Sequence, residues 1–371
     1  MKNILEFDTV ALDFIQDSGG EKPGPGQTPV LKNPVLKIID QTKLPGEIEF
    51  LFLTELEDIR EAIYLLKVRG APAIGVAAAI GIYVVAHGIA THNFGEFEAA
   101  FNAAKERLAS SRPTAVNLFW ALDRMAKVVE CSRDKSVEAA KTLLREEAVK
   151  IRDEDVTACR KIGENGLTLI NDGDGILTHC NAGQLATVKY GTALAPIHIG
   201  RERGYAFKVF TCETRPLLQG ARLSAFELYA AGVDTTVICD NMASQVMKNG
   251  WVQAIFVGCD RMAANGDACN KVGTSAVAIL AKHYGIPFYV CLPVSTVDMG
   301  IKTGADIVIE ERSPSEITEM WYRQPMTPPG VKIFNPAFDV TENGLITAII
   351  TERGIARPPY EESLRQIQNV T

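Results

Sequence analysis

In the second half of the chain, short apolar runs stop one after another at polar and reactive residues. Gly175-Ile-Leu-Thr-His179 stops at Cys180-Asn-Ala-Gly183, and Phe207-Lys-Val-Phe-Thr211 stops at Cys212-Glu-Thr-Arg-Pro216. Thr236-Val-Ile-Cys239 gives way to Asp240-Asn241, and Ala254-Ile-Phe-Val-Gly258 to Cys259-Asp-Arg261. Each run has the length and composition of a buried strand. Helical runs over Pro216–Ala231, Met242–Asn249 and Val272–Tyr284 separate them, and a further strand-like run, Pro287–Leu292, ends at Ser295-Thr-Val-Asp298. This alternation predicts a doubly wound α/β domain with a parallel sheet. Ligands bind such sheets in the crevice outside the carboxyl ends of the strands, so the four endings describe one site and point to an enzyme or a small-molecule sensor.

The first half reads differently. Thr54 with Glu57 has the form of a capping box opening an apolar-periodic segment (Leu56, Ile59, Ile63, Leu66), which predicts a helix to about Val68. Ala71 to Ala86 is alanine- and glycine-rich and about one turn short of a bilayer span, which predicts a buried helix. Residues 94–110, 114–130 and 135–168 also carry helical periodicity. The expected organisation is therefore a mainly helical N-terminal domain with a short β-rich start, residues 1–150, followed by the parallel-sheet domain, residues 151–371. The glycine- and proline-rich stretch at 19–29 predicts an extended loop or hairpin without chemistry of its own. No repeat of 20 to 50 residues is present.

Composition narrows the partners. A chain of 371 residues with 47% hydrophobic residues can bury a substantial core, and a net charge of −7 gives no general attraction to nucleic acid or an anionic membrane. Eight cysteines without a Cys-x-x-Cys pair, several at strand ends, and no signal peptide at Met1-Lys-Asn-Ile predict a reducing, cytoplasmic setting. The five histidines are far apart in sequence, which argues against a structural zinc site.

Several segments are candidates for chemistry. Lys67-Val-Arg-Gly-Ala-Pro-Ala-Ile-Gly75 puts glycine and proline at a helix start, where backbone amides next to Arg69 would hold a phosphate. The same small residues also suit a tight turn between closely packed helices. Arg112-Pro113 and Arg215-Pro216 each hold an arginine extended, as a phosphate or carboxylate fork or as a solvated loop cation. Gln219-Gly-Ala-Arg222 offers either hydroxyl contacts or an ordinary cap at a helix start. Cys180, followed by Asn-Ala-Gly, exposes its sulfur to backbone amides that lower a thiol pKa from about 8.5, whereas most buried cysteines are inert. Cys131, Cys159, Cys239 and Cys291 take the inert assignment, and Cys212 and Cys259 stay open. Asp260 at a strand end is either a proton carrier with a raised pKa or the structural partner of Arg261. Asn270 and Lys271 add a donor and a cation before the next helix.

Taken in order, these segments make the chain resemble the methylthioribose-1-phosphate isomerase family, methionine-salvage enzymes related to the regulatory subunits of translation initiation factor 2B. The resemblance runs through Val68–Gly75, Ser111–Asn117, Thr178–Gly183, Glu213–Arg222, Asp240–Ala243, Asp260–Asp267, Asn270–Thr274, Asn335–Thr341 and Ile350–Gly354. It implies a helical N-terminal domain, a Rossmann-like C-terminal domain without a dinucleotide, a homodimer, and conversion of 5-methylthioribose 1-phosphate to 5-methylthioribulose 1-phosphate with no metal or organic cofactor. Cys180 and Asp260 match the family's catalytic pair. Arg69, Gly70, Ala71, Arg112 and Gln219 match its phosphate and sugar contacts, joined by Asn270 and Lys271.

The chain departs from the family pattern in three places. The 19–29 segment resembles an insertion, Gly258-Cys-Asp-Arg-Met262 replaces the commoner Gly-Ala-Asp-Arg-Ile, and Gln41-Thr42 replaces Gln-Arg. None touches Cys180 or Asp260. Close relatives act on 5-deoxyribose 1-phosphate or ribose 1,5-bisphosphate, the latter requiring further cations at the C5 end. A non-catalytic subunit sensing sugar phosphates or nucleotides is the alternative from another class.

Overall fold

A computed structural model describes residues 6–15, 33–113 and 115–369, so the 19–29 segment and Thr114 lie outside the described residues. The chain divides into Asp8–Asp155 and Val156–Thr371, the latter including the stretch Met1–Phe7.

The Asp8–Asp155 unit opens with an antiparallel sheet of β1 (Val10–Ile15), β2 (Asn33–Ile39) and β3 (Phe50–Leu53), in that order, with Val10 opposite Ile38 and Ile38 opposite Leu51. Helices α1 (Leu56–Tyr64), α2 (Ala71–His87), α3 (Phe94–Ala109) and α4 (Val116–Glu130) follow, and α5 (Val137–Leu167) contains the dividing point of the two units. Helix α2 carries no charged residue and is buried almost all round, because it packs against β2, α1 and α4 at once. Its glycines permit this: a Cβ at Gly81 would stand 2.8 Å from Ile59 Cγ2, and one at Gly75 3.0 Å from the Asn117 carbonyl. Among the described residues no helix is long and apolar enough to cross a membrane.

The capping box expected at Thr54 and Glu57 does not form. Glu55 is the N-cap and makes no side-chain cap, while the Thr54 hydroxyl donates to Glu55 Oε1 instead. Glu57 is drawn away by arginines, taking two hydrogen bonds from Arg107 at 2.6 and 2.7 Å and one from Arg60 at 2.9 Å. Helix α1 also stops short of Val68, because Leu66 takes φ +61° and the chain turns so that Val68 N reaches Ala62 O.

The second unit is built on a seven-stranded sheet in the order β14-β13-β10-β7-β4-β5-β6. Its strands are β4 (Gly175–His179), β5 (Lys208–Cys212), β6 (Asp234–Ile238), β7 (Ala254–Val257), β10 (Phe288–Cys291), β13 (Ala348–Thr351) and β14 (Gly354–Ala356). All neighbours are parallel except β14, which pairs antiparallel with β13. Strand residues alternate between two cores, as the pleat requires. Ile176, Val209, Phe256 and Ile350 face a cluster with α5 and α6 (Ala195–Glu202). Leu177, Phe210, Ile255, Val257 and Ile349 face one with α8 (Ala243–Lys248), α9 (Thr274–Tyr284) and α11 (Tyr360–Asn369). The helix expected over Pro216–Ala231 begins late, after a turn in which Leu218 takes φ +56°, and runs without interruption through a π-helical stretch Gly220–Ser224 into α7 (Ala225–Ala230). A second, four-stranded sheet pairs β11 (Val297–Asp298), β8 (Arg261–Ala263), β9 (Ala268–Lys271) and β12 (Phe338–Thr341), with α10 (Ser315–Thr318) in the segment before β12.

Two outcomes follow from this packing. Gly175 starts β4 where a Cβ would collide with the Trp251 carbonyl, so Gly175→Ala should lower stability by about 1–3 kcal/mol in urea unfolding, while Gly344→Ala, which meets nothing within 4 Å, should not. The Arg107 and then Arg60 hydrogen bonds bring the Glu57 carboxyl down to about 2 from the usual 4.5. Its contribution is therefore present above pH 4.5 and lost as pH falls toward 2, so a Tm deficit of Glu57→Gln at pH 7 should vanish by about pH 2.

Candidate active site

Strand β4 is the first of the parallel sheet, and the chain lays β5 and β6 on one side of it and β7, β10 and β13 on the other. The reversal of direction between β4 and β7 opens the crevice where open α/β sheets bind ligands. Cys180 follows directly on β4, and Asp260 comes three residues after Val257, which pairs with His179. The two loops are in contact, since a Cβ at Gly258 would stand 2.6 Å from Ala182 Cβ.

Cys180 is held in a conformation that L residues rarely adopt, with φ +66°. Both of its backbone polar groups are held by hydroxyls. Its N–H donates to Thr214 Oγ1 at 2.8 Å, and its carbonyl accepts from Ser224 Oγ at 2.7 Å. Thr214, itself at φ +65°, donates its N–H to Asp240 Oδ1 at 2.7 Å, and Arg215 N donates to Asp240 Oδ2 at 2.7 Å. The rest of the loop is held by Glu227, whose side chain is 0% exposed. Its carboxylate accepts from Asn181 Nδ2 and, at 2.6 Å, from Gln184 N. Asn181 Nδ2 also donates to Ser224 Oγ at 3.1 Å. A Cβ at Gly183 would collide with Glu227, so only glycine lets the loop lie against this carboxylate.

Asp260 begins the β8–β9 hairpin, donating its N–H to the Cys269 carbonyl at 2.9 Å, and Asn270 and Lys271 end it. Asp260, Asn270 and Lys271 are thereby brought to one end of the hairpin. Asn270 is buried and donates to Thr274 Oγ1 at 3.0 Å. Lys271 Nζ donates to the Ala337 carbonyl at 3.0 Å and lies 4.6 Å from the centre of the Phe338 ring. Asp339 takes the Gly273 N–H at 2.7 Å and the Ser275 hydroxyl at 2.9 Å, capping α9. On the β5 side, Gln219 is 6% exposed and its Oε1 is buried with no hydrogen-bond partner among the described residues.

Four candidates belong to the Asp8–Asp155 unit. Arg69 is buried and donates from Nε to Gln41 Oε1 at 3.0 Å, so Gln41 of the departing Gln41-Thr42 pair orients a candidate phosphate ligand. Gly70 is the N-cap of α2 at φ +93°, Ala71 opens the helix, and Pro72 stands in its first turn. Arg112 lies in the turn between α3 and α4, partly exposed.

No disulfide joins any of the eight cysteines, all of which lie among the described residues. Cys159 and Cys291 are core residues, and burial pushes the Cys291 thiol far up. Cys269 is pushed up to about 12 by burial and by the Asp260 and Asp339 carboxylates. Cys131 is not an inert core residue: it is the exposed C-cap of α4. Cys239 is partly exposed, its thiol raised chiefly by Glu213. Sequence reasoning singled out Cys180 but not the residues that position it. Ser224 and Glu227, three apart, had one usable signal, a glutamate set between Phe226 and Leu228 on an otherwise apolar helical run.

Comparison with known proteins places this geometry. The profile of the initiation factor 2 subunit family matches residues 67–358. A protein of Symbiobacterium thermophilum named methylthioribose-1-phosphate isomerase is 64% identical over 90% of this chain and 92% of its own length. One of Petrotoga mobilis named 5-deoxyribose 1-phosphate isomerase is 55% identical over 91% and 96%. The crystal structure of 5-methylthioribose 1-phosphate isomerase from Pyrococcus horikoshii superposes with a TM-score of 0.86 at 44% identity, covering 91% of this chain and 94% of that one. The α/β fold, the order of the motifs and these matches together establish that the chain belongs to the initiation factor 2 subunit family.

Proposed function

We propose that the protein is an aldose–ketose isomerase of methionine salvage that converts 5-methylthioribose 1-phosphate to 5-methylthioribulose 1-phosphate. The observation that carries this is that Cys180 and Asp260 follow the two strands that flank the reversal point of the sheet, with Cys180 clamped through both backbone groups. A pure binding module has no need of an acid–base pair there.

The anomeric carbon of the substrate carries a phosphate ester, so its ring does not open spontaneously as that of a free sugar does. A group must protonate the ring oxygen as its bond to C1 breaks, leaving an oxocarbenium centre at C1 that keeps its phosphate. Hydrogen must then move from C2 to C1 while a base takes the C2 hydroxyl proton, so that the carbonyl forms at C2. Asp260 is the acid and proton relay, and Cys180 assists ring opening or hydrogen abstraction. Lys271 and Asn270, at the end of the hairpin that Asp260 opens, bind the polar part of the sugar phosphate. Gln219 offers its unpartnered buried oxygen to a sugar hydroxyl. Arg69, Gly70, Ala71 and Arg112 are assigned to phosphate and sugar on their motifs, supported by the glycine N-cap that starts α2 and the fixed guanidinium of Arg69. The working form is a homodimer in the cytoplasm, a setting in keeping with cysteines that form no disulfide among the described residues.

The relative named for 5-deoxyribose 1-phosphate supports a second substrate. The two sugars differ by the thiomethyl extension at C5, a difference that an apolar pocket resolves by about 10–200-fold. Phosphorus NMR of both sugars side by side should show kcat/KM higher for the methylthio substrate by at least about tenfold. An inverted ratio would assign the enzyme to deoxy-sugar disposal. No turnover of either sugar by the folded protein would favour a regulatory subunit.

Asp260→Asn and Cys180→Ala should abolish turnover while leaving a folded protein, and near-normal turnover by Cys180→Ala would remove the thiol from the mechanism. Lys271→Met should lower kcat by roughly 10² or more through a lost donor to developing charge. Glu227→Gln sets an amide where Asn181 and Gln184 both donate, and should lower stability by about 1–3 kcal/mol in urea unfolding together with kcat.

A further inference from the structure

Beneath the Cys180 loop three potential metal ligands converge from neighbouring strand ends: His179 closes β4, Cys212 closes β5, and Asp240 follows β6. One ligand atom from each lies within 4.8 Å of the others, and His179 Nδ1 is 3.9 Å from Asp240 Oδ1. We infer that His179, Cys212 and Asp240 form a binding site for one divalent cation of the zinc type, distinct from the sugar phosphate site and independent of the isomerase assignment.

The hydrogen bonds around the three side chains are those that metal ligands need. His179 is 1% exposed, and its Nε2 lies 2.9 Å from the Val272 carbonyl, which fixes the ring proton on Nε2. Nδ1 therefore presents a lone pair, and it is buried with no hydrogen-bond partner among the described residues. An orphaned acceptor of this kind, next to a thiol and a carboxylate, is explained by a ligand that accepts its electrons. Asp240 is oriented by the Thr214 and Arg215 N–H groups, one on each oxygen, and each oxygen keeps a second lone pair.

The donor set of one nitrogen, one sulfur and one carboxylate oxygen suits zinc or cobalt, whereas calcium and magnesium take oxygens. Tetrahedral zinc, with bonds of roughly 2.0–2.3 Å, holds its donors about 3.3–3.8 Å apart, so the three groups need close by only about 1 Å. The Asp240 side chain is 32% exposed, which provides entry from the crevice and a fourth position for water. On binding, Cys212 coordinates as thiolate and its proton passes to solvent. Without a cation, burial and then Asp240 hold that thiol protonated. Wide spacing in the chain does not keep these ligands apart, because the sheet brings together three residues that are 28 to 61 positions from one another.

The test uses the full chain, stripped of metal by a chelator and desalted, with cobalt(II) as probe. Titration should saturate at one equivalent, with a thiolate-to-cobalt charge-transfer band in the near ultraviolet that excess zinc removes. Cys180→Ser should keep the band and Cys212→Ser should lose it, while His179→Gln weakens binding by at least the roughly 10–100-fold that loss of an outer-shell partner causes. Zinc-edge X-ray absorption of the wild-type protein needs no variant and should show one sulfur at about 2.3 Å with nitrogen and oxygen near 2.0 Å. Absence of the charge-transfer band, a band lost in Cys180→Ser but kept in Cys212→Ser, or a shell of nitrogen and oxygen alone would each overturn the site.

Discussion

A carboxylate with no solvent contact is tolerated only where hydrogen bonds replace the water it has lost. Glu227 meets that condition by taking donors from the loop after β4, Asn181 Nδ2 and Gln184 N, and so fixes the loop that begins with Cys180. Most other features of the site depend on this loop being rigid. Gly183 has to be glycine because the carboxylate occupies the place of a side chain. Ser224, on the preceding turn, reaches the Cys180 carbonyl, and Asn181 spans Ser224 and Glu227. A thiol at φ +66° persists because its surroundings over-determine it.

The sheet supplies the second level of organisation. Parallel strands buried on both faces leave their carboxyl ends as the place where polar side chains can emerge, and the order of the chain through the sheet reverses between β4 and β7. Cys180 and Asp260 follow those two strands, while β5 and β6 contribute Thr214 and Asp240 as supports. The hairpin after β7 returns Asn270 and Lys271 to the end at which Asp260 starts, so one short insertion into the βα pattern delivers three polar groups.

Cysteine shows how one residue type is divided by environment. Cys291 and Cys269 have high thiol pKa values because burial, helped at Cys269 by two carboxylates, disfavours the thiolate. Cys131 reaches solvent at a helix end, far in sequence from the strand-end residues. Cys180, 8% exposed, directly follows β4 and has its N–H and its carbonyl each held by a hydroxyl.

Much of this protein is determined by local sequence. Short apolar runs specify β4, β5, β6, β7 and β10, and helical stripes specify α2 to α5, α8 and α9, to within about two residues at the ends, because each element must bury its apolar residues. The endings of the strands disclose Cys180 and Asp260 because reactive side chains gather where the strands of an open parallel sheet end. Tertiary structure decided the rest. The capping box at Thr54 yields to arginines on Arg60 and Arg107, the latter 50 residues away from Glu57. The run Pro216–Ala231 loses its first turn where Leu218 takes φ +56°, and Gly220 lets the helix that follows lie against the Cys212 carbonyl. The β8–β9 hairpin, with strands of three and four residues, carries too little apolar pattern to be seen, although Asn265-Gly266, with Gly266 at φ +89°, is its turn signal. The partners of Cys180 and the meeting of His179, Cys212 and Asp240 join residues 28 to 61 positions apart, and sheet order sets such distances.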